Sequence, residues 1–213
     1  MPGEGGGKKV SRETAPLRWV TDRGLLFASG ENTMAWYRRL LGAQLPGVVE
    51  VVPADGNLLV VLEQGAVVPS ALQDILNGAA TEARAEVGRL HEIPVRFDGA
   101  DLGEAAELAG LPQAGLVELL CSLKLFVKFL GFQPGFAYLE GLPPRLHLPR
   151  LAKPRKRVPA GSVAIGGTYC GVYPGAGPGG WRLLGTTDIA LFDPVANPPA
   201  RLQPGDTVRL SAT

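Results

Sequence analysis

The residues with the most chemical potential are concentrated between Glu140 and Asp188. The 47 intervening positions hold seven cations and no acidic side chain, whereas the whole chain has a net charge of +1. Nine glycines fall between Gly161 and Gly185, and glycine leaves backbone N–H groups open to close approach. Glycine-rich loops beside arginines suit a carboxylate, a phosphate or an oxyanion. The alternative interpretation is a solvated rim of a barrel.

Several residues of this segment are candidates for binding an anion. They are Arg150, Arg155, Arg157, Ser162, Gly179 and Gly180. Arg150 and Arg155 are the preferred pair because each follows a proline, which restrains the backbone, and a guanidinium can grip a carboxylate through two hydrogen bonds. The competing interpretation is that one or more arginines only pin a loop. For Ser162 it is structural capping, since no His–Asp partners for a nucleophile are visible.

Aromatic residues beside and within the segment are the candidate walls of a pocket. The set is Phe132, Pro134, Phe136, Tyr138 and Trp181. Tyr138 and Trp181 combine a flat apolar body with a polar edge, although aromatic residues in a small barrel also serve as core. His147 is interpreted as a rim histidine, and no residue is assigned a catalytic role.

Composition restricts the classes of function. With 213 residues, 46% hydrophobic and 19% charged, the chain is long enough for one large or two small globular domains. The near-zero net charge disfavours a protein that coats nucleic acid. Two cysteines, Cys121 and Cys170, and two histidines, His91 and His147, fit neither a disulfide framework nor a zinc cluster. The sequence therefore predicts a reducing cytoplasm and no metal site.

Neither a signal peptide nor a membrane span is expected. Residues 1–16 have no apolar stretch and are predicted to be a disordered tail. The most apolar window, 116–132, contains Glu118, Lys124 and Lys128. It is too short and too polar to cross a bilayer.

Hydrophobic periodicity predicts an α/β domain over residues 17–97. A strand is expected from Gly24 to Ser29, followed by a helix that begins near Asn32 and stops at Gly42. Two aliphatic runs around an Asp-Gly turn at 55–56 indicate a hairpin. A second helix follows Pro69, and residues 91–99 are the expected closing strand. This order is the ferredoxin-like split βαβ pattern.

A mostly β second domain is predicted over residues 98–213, which makes the fold class α+β. Two short amphipathic helices, divided by Gly110-Leu111-Pro112, precede a strand over 125–130. Prolines and glycines then exclude long helices. A turn at 204–206 and a final strand are typical of a closing barrel.

The chain resembles a known family in these segments. The series GFQPGFAYL, KPRKRVPAGSVAIGG, GVYP, GPGGWRLLG, LFDP and QPGDTVRL is similar to the family that comprises allophanate hydrolase subunit 1, KipI and the B subunit of 5-oxoprolinase, over roughly residues 20–211. The resemblance implies a small α/β domain followed by a cyclophilin-like β-barrel. It also implies a hetero-oligomer with the C subunit (the allophanate hydrolase subunit 2 type) and the A subunit of 5-oxoprolinase. Such an enzyme opens 5-oxoproline to glutamate in an ATP-dependent reaction.

Three positions depart from the family pattern. Leu120 and Leu125 stand where members often have histidine and tyrosine, and Thr186 stands where an arginine is usual. Thr186 offers one hydroxyl hydrogen bond to an anion instead of a charged fork. The resemblance therefore also leaves open an inhibitor of a sensor histidine kinase, or a carboxyltransferase component of the urea carboxylase type.

Activity is expected to need partners. The chain has no P-loop motif and no kinase-type glycine loop, so we expect it to bind no cofactor, to be inactive alone, and to leave ATP to the assembled complex.

Overall fold

The computed structural model describes residues 17–78 and 88–213, so the predicted tail lies outside the described residues. They form two compact units. One comprises residues 17–51 and 56–78, and the other comprises residues 88–213 with the hairpin residues 52–55.

The first unit is a four-stranded sheet with two helices. Its elements are β1 Arg18–Trp19, β2 Gly24–Ala28, α1 Thr33–Ala43, β3 Val48–Pro53, β4 Asn57–Leu62 and α2 Ser70–Asn77. The strand order is β1-β2-β4-β3. Alternating residues of β2, Leu25 and Phe27, are buried against Trp36 and Leu40 of α1, as the periods of strand and helix require. The predicted strand, hairpin and two helices are therefore confirmed.

The second unit combines two helices with nine strands. The elements are β5 Leu90–Val95, α3 Leu102–Ala109, α4 Gln113–Ser122, β6 Leu125–Leu130, β7 Ala137–Glu140, β8 Arg155–Val158, β9 Ser162–Gly166, β10 Tyr169–Val172, β11 Gly177–Gly179, β12 Arg182–Thr186 and β13 Thr207–Ala212. Gly110 ends α3 in the left-handed conformation at φ +66°, where glycine carries no Cβ penalty.

Seven of these strands form one sheet in the order β12-β9-β10-β7-β6-β13-β5. Its two edges meet, because Arg96 and Thr186 form an antiparallel bridge with backbone hydrogen bonds of 2.9 and 2.8 Å. This single bridge makes the sheet a nearly closed barrel, and closure reduces the unpaired edge that a sheet exposes. All five residues of β9 are buried, as expected for a strand at the centre of a packed layer. The α+β class with a barrel-like second unit is thus confirmed.

One strand lies in a different sheet from the one predicted. β5 was expected to close the first sheet, but it pairs in parallel with β13 over six residues, from Leu90 with Thr207 to Val95 with Ala212. This pairing buries Ile93 and Val95 in the core of the second unit. The prediction is wrong because pairing partners far apart in sequence leave no local signal.

Two smaller findings concern the helices. Helix α1 continues through Gly42 and is capped by Gln44 at φ +43°, so the predicted stop is wrong by one residue or more; helix ends fray and boundaries shift by this amount. No helix in residues 17–78 or 88–213 is long and apolar enough to span a membrane.

Candidate functional site

A small cavity in the second unit brings together most of the predicted site residues. Its volume is about 100 Å³. The lining residues are Phe132, Phe136, Tyr138, Arg150, Tyr173, Gly179, Gly180 and Trp181. They come from five separate loops and strand ends between residues 131 and 181. The cavity therefore combines the guanidinium of Arg150, tyrosine phenols and the backbone of two glycines with a lining of aromatic rings.

A tight turn after β6 presents the first wall. Phe132 has φ +67°, and Gln133 N–H donates to Gly131 C=O at 2.7 Å across it. A three-residue turn with positive φ at a non-glycine residue is strained. Phe132 is 56% exposed, so the strained residue lies at the mouth of the cavity.

The inner wall depends on two glycines. A Cβ on Gly166 would overlap the Trp181 ring, and one on Gly171 would lie 2.9 Å from Phe136 Cζ. The rings of Phe136 and Trp181 meet edge to face, with centroids 5.4 Å apart, which is a favoured aromatic geometry. Glycine at these two strand positions is what admits the large rings.

Tyr173 is the site residue that the sequence interpretation missed. It is 2% exposed, and its ring packs on Phe136 at 5.2 Å between centroids. Burial, and then the neighbouring Tyr138, raise the pKa of the phenol, while Arg150 and Arg155 act in the opposite direction. The phenol is therefore a neutral hydrogen-bond donor at ordinary pH. The GVYP motif that contains it was its only sequence signal.

Arg150 is the cation at the cavity. Its guanidinium carbon lies 5.8 Å from the centre of the Trp181 ring, a cation–π distance. The side chain is exposed, and within the described residues it has no ion-pair partner. Its loop is held at both sides, because Leu151 N–H donates to Gly180 C=O at 2.7 Å and Arg182 Nε donates to Pro149 C=O at 3.0 Å.

The other two candidate arginines do not line the cavity. Arg155 Nη2 donates to Asp101 Oδ1 at 2.6 Å, and Asp101 Oδ2 accepts the Leu183 N–H at 2.7 Å. Asp101 is buried. A buried carboxylate needs a positively charged partner, and Arg155 provides it in an ion pair that holds the structure together. Arg157 lies exposed on β8. Of the three arginines, Arg150 is the one that the fold leaves available to a ligand in this cavity.

The remaining candidates lie elsewhere in the second unit. Ser162 is 2% exposed on β9 and stands opposite Thr186 of β12. The Thr186 hydroxyl donates to the Asp98 carboxylate at 3.0 Å. Pro134 is exposed outside the lining. These positions do not join the aromatic cavity.

The two leucines that depart from the family pattern belong to the core. Leu120 and Leu125 are both 0% exposed and pack in the main cluster of the second unit. Neither lines the cavity. A leucine at these positions is satisfied by packing alone.

A larger, mainly apolar cleft of about 420 Å³ lies beside α4 and β13. It holds Cys121, Arg209 and two exposed carboxylates, Glu92 and Glu118. Burial raises the pKa of the Cys121 thiol, which disfavours the reactive thiolate. We therefore place the candidate site at the smaller cavity. The Arg150 guanidinium, the Tyr173 hydroxyl and the backbone of Gly179 and Gly180 lie together there. In residues 17–78 and 88–213 no three His, Cys, Asp or Glu side chains could hold a metal ion.

Comparison with known proteins identifies relatives that share most of the chain. The family model described as carboxyltransferase domain, subdomain C and D, matches residues 18–202. A protein named as the B subunit of 5-oxoprolinase, from Escherichia coli O157:H7, is 46% identical over 170 residues, 78% of each chain. One of the same name from Bacillus subtilis (strain 168) is 37% identical over 180 residues, 77% of this chain and 75% of that protein.

A solved structure has the same fold. The crystal structure of TTHA0988 superposes with a TM-score of 0.77 at 40% sequence identity, covering 90% of this chain. This chain spans 40% of the length of TTHA0988. The larger protein thus contains a region equivalent to nearly all of the chain described above.

Proposed function

Since the chain belongs to the carboxyltransferase domain family, subdomains C and D, and resembles proteins named as the B subunit of 5-oxoprolinase, we propose that it is the B subunit of an ATP-dependent 5-oxoprolinase. In that reaction water adds to the lactam carbonyl carbon of 5-oxoproline and the ring C–N bond breaks, which yields glutamate, while a second water cleaves ATP to ADP and phosphate. The partners would be the C and A subunits of the same enzyme.

The observation that carries the proposal is the available guanidinium of Arg150 at an aromatic cavity. The substrate is a small ring with one carboxylate, and an arginine can pair with that carboxylate through two hydrogen bonds. Flat rings such as Trp181 and Phe136 can pack against the body of the substrate. A fixed positive charge also stabilises the oxyanion that develops when a lactam carbonyl is attacked.

The open position of Arg150 supports a shared site. Electrostatic stabilisation is strongest where water is excluded, yet Arg150 and Phe132 are both exposed. A partner protein that covers the mouth would exclude water and would bring the acid and base groups that handle protons. We therefore propose that the chain alone is inactive and that the C subunit of the enzyme completes its active site.

Reconstitution tests this function. The chain would be purified alone and with the A and C subunits from its own source, and glutamate formation from 5-oxoproline and ATP would be measured. We expect turnover only in the complete mixture. Arg150→Ala should lower kcat/KM by at least about tenfold, the effect of losing one charge-assisted contact of about 1.5 kcal/mol.

Arg145→Ala provides the matched control, because Arg145 is an exposed cation of the same acid-free segment and does not line the cavity. It should leave turnover unchanged. Turnover by the lone chain would contradict the shared site, and a complete mixture without 5-oxoproline-dependent glutamate would contradict the proposed function.

A carboxyltransferase component is the second candidate, and the description of the matching family favours it. The same mixture discriminates between the two. A carboxyltransferase would transfer a carboxyl group from carboxybiotin on a biotin-bearing protein to an acceptor without using ATP itself, whereas a 5-oxoprolinase would consume ATP with 5-oxoproline and need no biotin-bearing protein.

A further inference from the structure

The Tyr173 hydroxyl belongs to a buried side chain, and it has no hydrogen-bond partner in the described part of the protein. The residue is 2% exposed, and its ring is enclosed by Phe132 and Phe136. In the part of the chain that the structure describes, no protein group forms a hydrogen bond with this hydroxyl. The oxygen is not sealed off, so it opens into the cavity that Tyr173 lines.

Gly179 aims this hydroxyl. A Cβ at Gly179 would overlap the Tyr173 oxygen, so the phenol fits only because a glycine faces it. Buried phenols usually find a hydrogen-bond partner, because leaving one unmade is costly. Because the oxygen is accessible, water or a ligand in the cavity can accept this hydrogen bond.

The charge at the cavity selects the sign of that occupant. Arg155 is neutralised by Asp101, whereas Arg150 has no ion-pair partner among the described residues. The space is about 100 Å³, well below the roughly 300 Å³ at which drug-sized pockets begin. A nucleotide is thus too large, and a small anion with a flat apolar body fits.

We propose that the Tyr173 hydroxyl and the Arg150 guanidinium form a two-point anchor for a small, flat carboxylate. The Tyr173 hydroxyl donates to one oxygen of the ligand carboxylate, and the Arg150 guanidinium pairs with the same carboxylate. The aromatic side chains of the cavity contact the ring of the ligand. This inference deepens the proposed function and takes its substrate class from it, but it concerns binding by this chain alone.

Binding to the purified chain tests the anchor. Isothermal titration or ligand-observed NMR would compare three probes: 5-oxoproline, cyclopentanecarboxylate, which lacks the lactam, and 2-pyrrolidinone, which lacks the carboxylate. We expect the two carboxylates to bind and 2-pyrrolidinone to bind at least tenfold more weakly. Tyr173→Phe keeps the ring contacts and removes one charge-assisted hydrogen bond, so it should weaken carboxylate binding by about ten- to hundredfold.

Matched variants separate binding from folding. Arg150→Gln should weaken the carboxylates and leave 2-pyrrolidinone unchanged. Tyr169→Phe removes a phenol that accepts a hydrogen bond from Lys128 at 3.1 Å and does not line the cavity, and Arg145→Gln removes an exposed cation. Both controls should bind as the unmodified chain does, and thermal unfolding would confirm that every variant is folded.

The outcomes distinguish this inference from the proposed function. Absence of carboxylate binding by the lone chain, or equal affinities of Tyr173→Phe and the unmodified chain, would overturn the anchor. Carboxylate binding that depends on Tyr173, together with no 5-oxoprolinase activity in the complete mixture, would keep the anchor and refute the proposed function.

Discussion

Replacing Asp101 by alanine should destabilise the second unit by about 2–4 kcal/mol. The carboxylate precedes helix α3 and accepts hydrogen bonds from Arg155 of β8 and from the backbone of Leu183 in β12. It therefore joins three elements. Loss of the acceptor leaves the buried Leu183 N–H unpaired, which costs about 1–3 kcal/mol.

The ion pair adds a smaller amount. Breaking a fully buried pair costs about 3–5 kcal/mol, but the Arg155 side chain is 29% exposed, and water can take over part of the role of Asp101. We therefore count about 1 kcal/mol for this part, close to the value of an exposed pair. The sum gives the range stated above.

Urea unfolding followed by circular dichroism measures the effect. Asp98→Ala is the control, because Asp98 is an exposed carboxylate that accepts a hydrogen bond from the Thr186 hydroxyl, and it should cost under about 0.5 kcal/mol. Asp101→Asn retains one acceptor oxygen and should fall between the two. A double-mutant cycle with Arg155→Ala should give a coupling of about 1 kcal/mol.

An Asp101→Ala variant as stable as Asp98→Ala would refute this reasoning. It would mean that Leu183 N–H and Arg155 find other partners at no cost. A coupling near zero, with the single variant still destabilised, would assign the whole effect to the backbone hydrogen bond.

Three further predictions concern the cavity and the thiols. Gly179→Ala should displace the Tyr173 hydroxyl and abolish carboxylate binding, whereas Gly175→Ala, whose Cβ would meet only Gln133 Oε1 at 3.8 Å, should bind normally in the same titration. Cys170 is 0% exposed and Cys121 is partly exposed, so a thiol reagent should label Cys121 alone in the native chain and both after denaturation; fast native labelling of Cys170 would contradict its burial. Burial raises the pKa of Cys170 from 9.0 to about 12. The free energy of unfolding therefore has its full value below pH 9 and falls as pH rises towards 12, because in this range only the unfolded thiol ionises. Cys170→Ala should flatten that part of the curve of unfolding free energy against pH.

Local sequence patterns determined most of the secondary structure. Period-two alternation predicted β6, and helical spacing predicted α1, α3 and α4, because each pattern reports which face of one segment is apolar. The same local signals predicted that aromatic and glycine-rich segments around Arg150 would supply a pocket. Residue type and spacing suffice for such features, since they depend on neighbours in the chain.

Tertiary structure decided the features that depend on distant partners. β5 carries an ordinary strand pattern, and only its parallel pairing with β13 places it in the seven-stranded sheet. Arg150 and Arg155 both follow a proline, so the sequence does not distinguish them. In the structure Arg155 pairs with Asp101, which lies 54 positions away in the chain, and Arg150 does not. Tyr173 lines the candidate cavity, and Gly179 leaves room there for its hydroxyl. Pairing and packing between remote segments are collective, so no single stretch of sequence encodes them.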